Sequence, residues 1–169
     1  MSENSSDDPV IDPGEFRNVL GHFPTGVTVV TADGPDRPVG VAIGSFVSIS
    51  LDPPLVGFFL GTESGSWPAM EASGHFCVNI LRADQQELCG VMASRAEDKF
   101  AEVETNSAPG SGAPVLPGNH ATIDCRIEQV VPTGDHNLII GRVLSLDAEP
   151  EGDAGPMVFF KGQYGSFTP

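Results

Sequence analysis

Positive charge is scarce in this chain: eight lysines and arginines stand against 23 aspartates and glutamates in 169 residues, a formal net charge of −15. Such a field repels polyanions, which argues against nucleic acid or an anionic membrane surface as a partner. Any site for a phosphate must then be a local exception, drawn from Lys99, Lys161, Arg17, Arg37, Arg82, Arg95, Arg126 and Arg142. Cysteine is sparser still. Cys77, Cys89 and Cys125 are odd in number and lack CxxC or zinc-ligand spacing, so they read as reduced core thiols. His22, His75, His120 and His136 form no recognisable ligand set and HExxH is missing, so no metal is expected. No apolar run approaches the ~18 residues of a membrane-spanning helix. The acidic start, MSENSSDDPVIDPGE, lacks the basic-then-apolar pattern of a secretory signal. The expectation is a soluble cytoplasmic protein. GxGxxG and P-loop motifs are also missing, but they belong to α/β folds, so their lack does not exclude a nucleotide enzyme.

Punctuation is abundant instead. Twenty glycines and 15 prolines lie between short apolar runs, which favours many strands joined by turns over a helical bundle, in one domain by length. Residues 1–12 are polar and acidic and are expected to be a disordered tail, leaving 13–169 as the folded domain. Phe16, Val19, Leu20 and Phe23 recur at helical spacing behind Asp12 as cap, with Gly21 and Pro24 as the stop, which predicts a helix whose apolar face packs on the strands. Thr25 to Thr31 reads as a strand and Gly34 to Pro38 as the turn after it.

The stretch from Gly40 to Leu60, GVAIGSFVSISLDPPLVGFFL, holds two strands and a forced bend. Val47, Ile49 and Leu51 alternate with Ser48, Ser50 and Asp52, which puts the apolar residues on one face. Asp52-Pro53-Pro54 must turn or run extended, and Val56 to Leu60 reads as an almost fully buried strand. Gly40 and Gly44 flank the Val41-Ala42-Ile43 segment. They either let the strand coil or leave room for something flat. Beyond a small-residue loop, Trp67 to Ala72 reads as a helix with Pro68 in its first turn and Ser66 at the cap position. That end is either ordinary capping or a phosphate site, with Ser64 and Ser66 adding hydroxyls. Phe76 to Leu81 is a strand. Asp84 to Met92 is a capped helix with Leu88, Val91 and Met92 inward, and Thr105 to Gly118 is a loop without periodicity. Thr122 to Val131 and Asn137 to Asp147 are strands joined by a turn at Pro132 to His136. Asp147 to Asp153 is an exposed acidic loop, and Met157 to Phe160 is a last strand before a tail holding Tyr164.

The 40–60 stretch, then SGSWP at 64–68, FCVNIL at 76–81 and GDH at 134–136, resemble in order the flavin reductase family with the FMN-binding split-barrel fold. The resemblance runs from about Phe16 to Tyr164. It implies a mainly β, Greek-key antiparallel split barrel with a few peripheral helices. It also implies an NAD(P)H:flavin oxidoreductase that uses FMN or FAD with NADH or NADPH, is a homodimer, and passes reduced flavin to a partner monooxygenase. Carried over residue by residue, Ala42, Ile43, Gly44 and Ser45 match the flavin-contacting strand, and Ser50 lies beyond the ring. Ser64, Ser66 and Trp67 match the phosphate loop, Lys99 and Phe100 a basic–aromatic pair near the flavin, and Tyr164 an aromatic at the pocket. His136, with Asp135 either orienting its ring or capping the turn, takes the catalytic place by the nicotinamide. Many relatives have threonine where Ala42 stands and asparagine or serine where Gly44 stands, which implies a flavin held more by main chain and more easily released. Two rivals remain at this stage: a flavoenzyme with tightly bound FMN that reduces an organic substrate, and a non-enzymatic flavin-binding module.

Overall fold

The computed structural model describes residues 9–148 and 154–167, and these residues form three short helices and twelve strands. Most of the expected acidic tail (1–8) and of the expected acidic loop (149–153) lies outside the described residues. Helix α1 (Pro13–Leu20) begins at its expected cap: the Asp12 carboxylate accepts the Glu15 N–H at 2.9 Å. Its apolar face is not packed, contrary to expectation. None of its residues is buried, and Phe16, Val19, Leu20 and the following Phe23 are all more than half exposed.

The strand expected over 25–31 is two, β1 (Thr25–Gly26) and β2 (Thr28–Asp33). Between them Val27 donates its N–H to Met157 and accepts from the Leu81 N–H, so the chain changes sheets there. Strands β3 (Pro38–Ile43), β4 (Val47–Leu51) and β5 (Pro54–Gly61) follow, with a cis Asp52–Pro53 peptide at the expected bend. Then come α2 (Trp67–Ser73), β6 (His75–Ile80), α3 (Gln86–Ala93), β7 (Asn106–Ser107), β8 (Pro114–Val115), β9 (Ala121–Thr133), β10 (His136–Ala148), β11 (Met157–Phe160) and β12 (Gln163–Ser166). Seven strands form one antiparallel sheet in the order β3-β2-β6-β9-β10-β5-β4, and β1-β11-β12 form a second. The large sheet curls so that the connection after β3 meets β5: Ser45 Oγ accepts from the Phe59 N–H at 3.0 Å and donates to its carbonyl at 3.2 Å. A sheet bent on itself and left open between its outer strands fits a split barrel.

Phe58, Phe76, Met70 and Ile139 fill the inside of the curl, with Phe58 and Phe76 edge to face at 5.2 Å. Val29, Leu81, Cys89, Met92 and Leu116 form a second cluster beneath α3. The apolar face that the alternation gives β4 looks outward, with Leu51 92% exposed, on a strand whose ladder carries a register shift at Ser48/Ser50. Strand β5 is almost fully buried over 56–60, as expected, with Phe59 the exception. Two local expectations are corrected. Helix α3 begins at Gln86 rather than at a cap on Asp84, whose carboxylate faces Arg82 at 3.6 Å, and Val91 points outward. Finally, the segment over 105–118 is an ordered hairpin. The Asp124 carboxylate accepts the Gly110 and Ser111 N–H groups, and the fully buried Asn79 amide oxygen accepts the Leu116 N–H at 2.8 Å.

Candidate active site

The strand order leaves one edge of β3 without a partner strand among the described residues. The Gly40 carbonyl faces that edge, where it accepts Lys99 Nζ at 2.9 Å and Ser66 Oγ at 3.3 Å. Main-chain groups alternate sides along a strand, so the N–H and C=O of Ala42 face the same way. Against this edge lie two cavities. One, of about 580 Å³, is lined by residues 41–45, 59–64 and 135–136. The other, of about 730 Å³, is lined by 37–41, 63–66, 92–97 and Lys99. Val41, Glu63 and Ser64 belong to both, so the two are one groove running along β3.

His136 stands at one end of this groove because the β9–β10 hairpin puts it there. Gly134 turns the chain at a φ of +66°, a conformation that L side chains rarely adopt. The Thr62 N–H then donates to the Asp135 carbonyl, and Thr133 Oγ1 to that of His136. The Asp135 carboxylate lies 2.7 Å from His136 Nδ1. That hydrogen bond, then the charge of the ring, holds the Asp135 carboxyl below its ordinary pKa. With Nδ1 engaged, Nε2 faces the groove: a Cβ built on Gly61 would lie 3.9 Å from it and meet nothing else within 4 Å. The sequence left open whether Asp135 orients the ring, and the geometry answers that it does.

Lys99 holds the other half. Its Nζ donates to the carbonyls of Gly40 and Met92 at 2.9 and 2.8 Å, which leaves one of three N–H donors for an anion. Burial lowers the pKa of this ammonium. The groove therefore offers main-chain donors along its middle, an oriented imidazole at one end and an ammonium toward the other. These are the requirements of a flat ring with a phosphorylated tail, and the residues present fit a flavin nucleotide.

Residues 20–168 match the model of the flavin reductase like domain. The chain belongs to the flavin reductase family. It is 46% identical, over its whole length and 87% of the relative, to the reductase subunit HsaB of a flavin-dependent monooxygenase from Rhodococcus jostii. A flavin reductase of Pseudomonas putida is also 46% identical, over 94% of this chain and 92% of the relative. Among solved structures, a nitrilotriacetate monooxygenase component B homologue from Mycobacterium thermoresistibile superposes with a TM-score of 0.88 at 44% identity, covering 92% of this chain and 87% of that one.

In this flavin reductase-like chain, Ala42, Ile43, Gly44, Ser45, Ser64, Ser66, Lys99 and His136 all line the groove. Ser50, Trp67, Phe100 and Tyr164 line neither cavity. Ser50 lies in the β4 ladder opposite Leu55, Trp67 packs on the larger core cluster and Phe100 on the smaller. Tyr164 leans on Phe159 at 5.3 Å and its hydroxyl lies 3.4 Å from the Cys89 sulfur; that hydrogen bond, with burial, pushes its phenol up to about 12. Ser66 occupies the cap position of α2 without capping it, since its hydroxyl goes to Gly40. The two glycines make room for protein instead of ligand: a Cβ on Gly40 would sit 3.2 Å from the Phe100 ring, and one on Gly44 3.0 Å from Thr25 Oγ1. Thr62, which was not anticipated, also lines the groove, as do Arg37 and Arg95, which were named only within the pool of cations. The scarcity of cations was the signal that could have found the two arginines.

Proposed function

We propose that the chain is an NAD(P)H:flavin oxidoreductase, which moves a hydride from NADH or NADPH to FMN or FAD and releases the reduced flavin to a monooxygenase. Relatives named as monooxygenase reductase subunits, FMN reductase (NADH) and NADH:FAD oxidoreductase support the reading. The observation that carries it is the groove along the edge of β3 that has no partner strand among the described residues, with His136 at one end and Lys99 in its larger half. When bound, the flavin ring supplies the hydride-accepting atom.

The chain's own work is positional. The Ala42 main chain meets the polar edge of the ring, and the short Ser45 side chain, turned onto Phe59, keeps one ring face open. His136 Nε2, fixed by Asp135, binds the polar end of the nicotinamide and orients its ring over that face. Lys99 and the Ser64 loop hold the flavin phosphate. Helix α2, only seven residues long, adds little dipole there, so Lys99 carries most of the attraction. Ser45 spends its hydroxyl on Phe59 and contributes main chain only. The uncovered apolar face of α1 supports a homodimer in which a second copy covers it. No helix among the described residues is long and apolar enough to cross a membrane, in keeping with work in the cytoplasm.

The test is anaerobic mixing of the protein with NADH or NADPH and a molar excess of FMN, then of FAD, with flavin absorbance followed. Bleaching of the whole excess is expected. Bleaching limited to one equivalent per chain would instead make this an enzyme with resident flavin.

A further inference from the structure

We infer that the groove is built for the dinucleotide FAD, and that Arg37 and Arg95 select it over FMN; the inference rests on the flavin reductase reading above. The first reason is length. From Ser45 back to Arg37 the groove follows eight residues of nearly extended chain, about 26 Å at ~3.3 Å per residue. FMN ends at its single phosphate, which Ser64 and Lys99 meet part-way along. Beyond them the larger cavity continues between the turn that carries Arg37 and the segment after α3 that carries Arg95 and Glu97.

The second reason is charge. Three of the chain's eight lysines and arginines line this one cavity in a protein of net charge −15. Lys99 suffices for one phosphate, and FMN would bring no second anion to the two arginines. FAD brings a second phosphate followed by a ribose and an adenine. A guanidinium can hold phosphate in a bidentate grip or lie flat on a purine, which an ammonium cannot do as well.

Arg37 is presently paired with Glu97, Nη1 to Oε1 at 3.1 Å, and both side chains are largely exposed. Ion pairs of that kind are weak and exchange readily. The second phosphate of FAD displaces Glu97 from Arg37, so Glu97 opposes the dinucleotide and Arg37 favours it. The adenosine half of NADH would offer the same chemistry. Continuity of the cavity with the β3 edge at Ala42 favours the flavin, because the nicotinamide approaches from the His136 end.

Isothermal titration of the full-length protein with FAD, FMN and, separately, NADH tests this without relying on turnover. The wild type is expected to bind FAD about tenfold tighter than FMN. Arg37→Ala is expected to cut that preference at least fivefold, and Glu97→Gln to raise it two- to fivefold; both are surface positions, and the opposite directions guard against a folding artefact. Equal affinities for FAD and FMN in the wild type, or a preference that neither variant moves, overturn the inference. So does a loss confined to NADH affinity in Arg37→Ala, which would assign the cavity to the nicotinamide nucleotide. If NADH fails to bleach any flavin, the reductase reading fails on its own, and the FAD-to-FMN ratios still decide this point.

Discussion

Replacing Lys99 with methionine keeps most of the side chain's length and apolar stem while removing its charge. Two of the three ammonium donors already serve Gly40 and Met92, so a flavin phosphate gains one charge-assisted hydrogen bond. Bonds to charged groups contribute about 1.5–3 kcal/mol, which is about 10- to 150-fold in Kd. The assay is titration with FMN and with riboflavin, which has the same ring and ribityl chain but no phosphate. The preference for FMN over riboflavin is expected to fall by that factor in Lys99→Met. A pH series sharpens the test. Because burial lowers the Lys99 pKa, the ammonium loses its proton below the usual lysine range, and the preference for FMN falls as pH rises through that lowered value. Dividing by riboflavin cancels any titration of the flavin ring. If Lys99→Met weakens both ligands equally, the lysine serves only to tie Gly40 to Met92 and its role at the phosphate is refuted.

Other perturbations have equally definite outcomes. Asp135→Asn leaves His136 without a carboxylate on Nδ1, and kcat/KM for NADH is expected to drop about tenfold, the loss of one charge-assisted bond, while the Kd for FMN changes little. Gly134→Val forces a β-branched residue to a φ of +66° at a cost of about 1–2 kcal/mol, lowering Tm and displacing His136; an unchanged Tm would contradict the turn geometry. Asn79→Ala strips the buried Leu116 N–H of its acceptor and is expected to cost about 1–3 kcal/mol, or about 2–12 °C in Tm, by differential scanning calorimetry. In light scattering, Phe16→Asp with Leu20→Asp is expected to give a single chain of 17.7 kDa where the wild type gives twice that mass; a monomeric wild type would remove the dimer.

What the sequence made legible was local and repetitive. Asp12 starting a helix, proline forcing the β4–β5 bend and Gly134 marking the hairpin are short-range rules, and each is met. The motif resemblance carried the groove residues from Ala42 to Ser45, with Ser64, Lys99 and His136, onto one continuous surface. Long-range choices were not legible. The same alternation places Val47, Ile49 and Leu51 on an inner or an outer face, and only the pairing register of β4 on β5 decides it. Gly40 and Gly44 read as either strand coiling or space for something flat, and the reason for them is neither: Phe100 and Thr25 arrive there from elsewhere in the chain. Tyr164 matched a pocket aromatic by position, while Cys89 and Phe159 hold it on the second sheet. Arg37 and Arg95 sit in turns with no motif, and only the folded arrangement brings them to Lys99.

In the function proposed, hydride moves to flavin in the groove before His136. Gly61 faces that space with nothing but His136 Nε2 near its missing Cβ, so Gly61→Leu fills it while leaving the core untouched. The decisive measurement is anaerobic stopped-flow bleaching of FAD and FMN by NADH in Gly61→Leu beside the wild type, with circular dichroism as the check on folding. A rate at least 100-fold lower in a folded variant is the expected result. A folded variant that bleaches flavin at the wild-type rate would place the chemistry elsewhere and contradict the account.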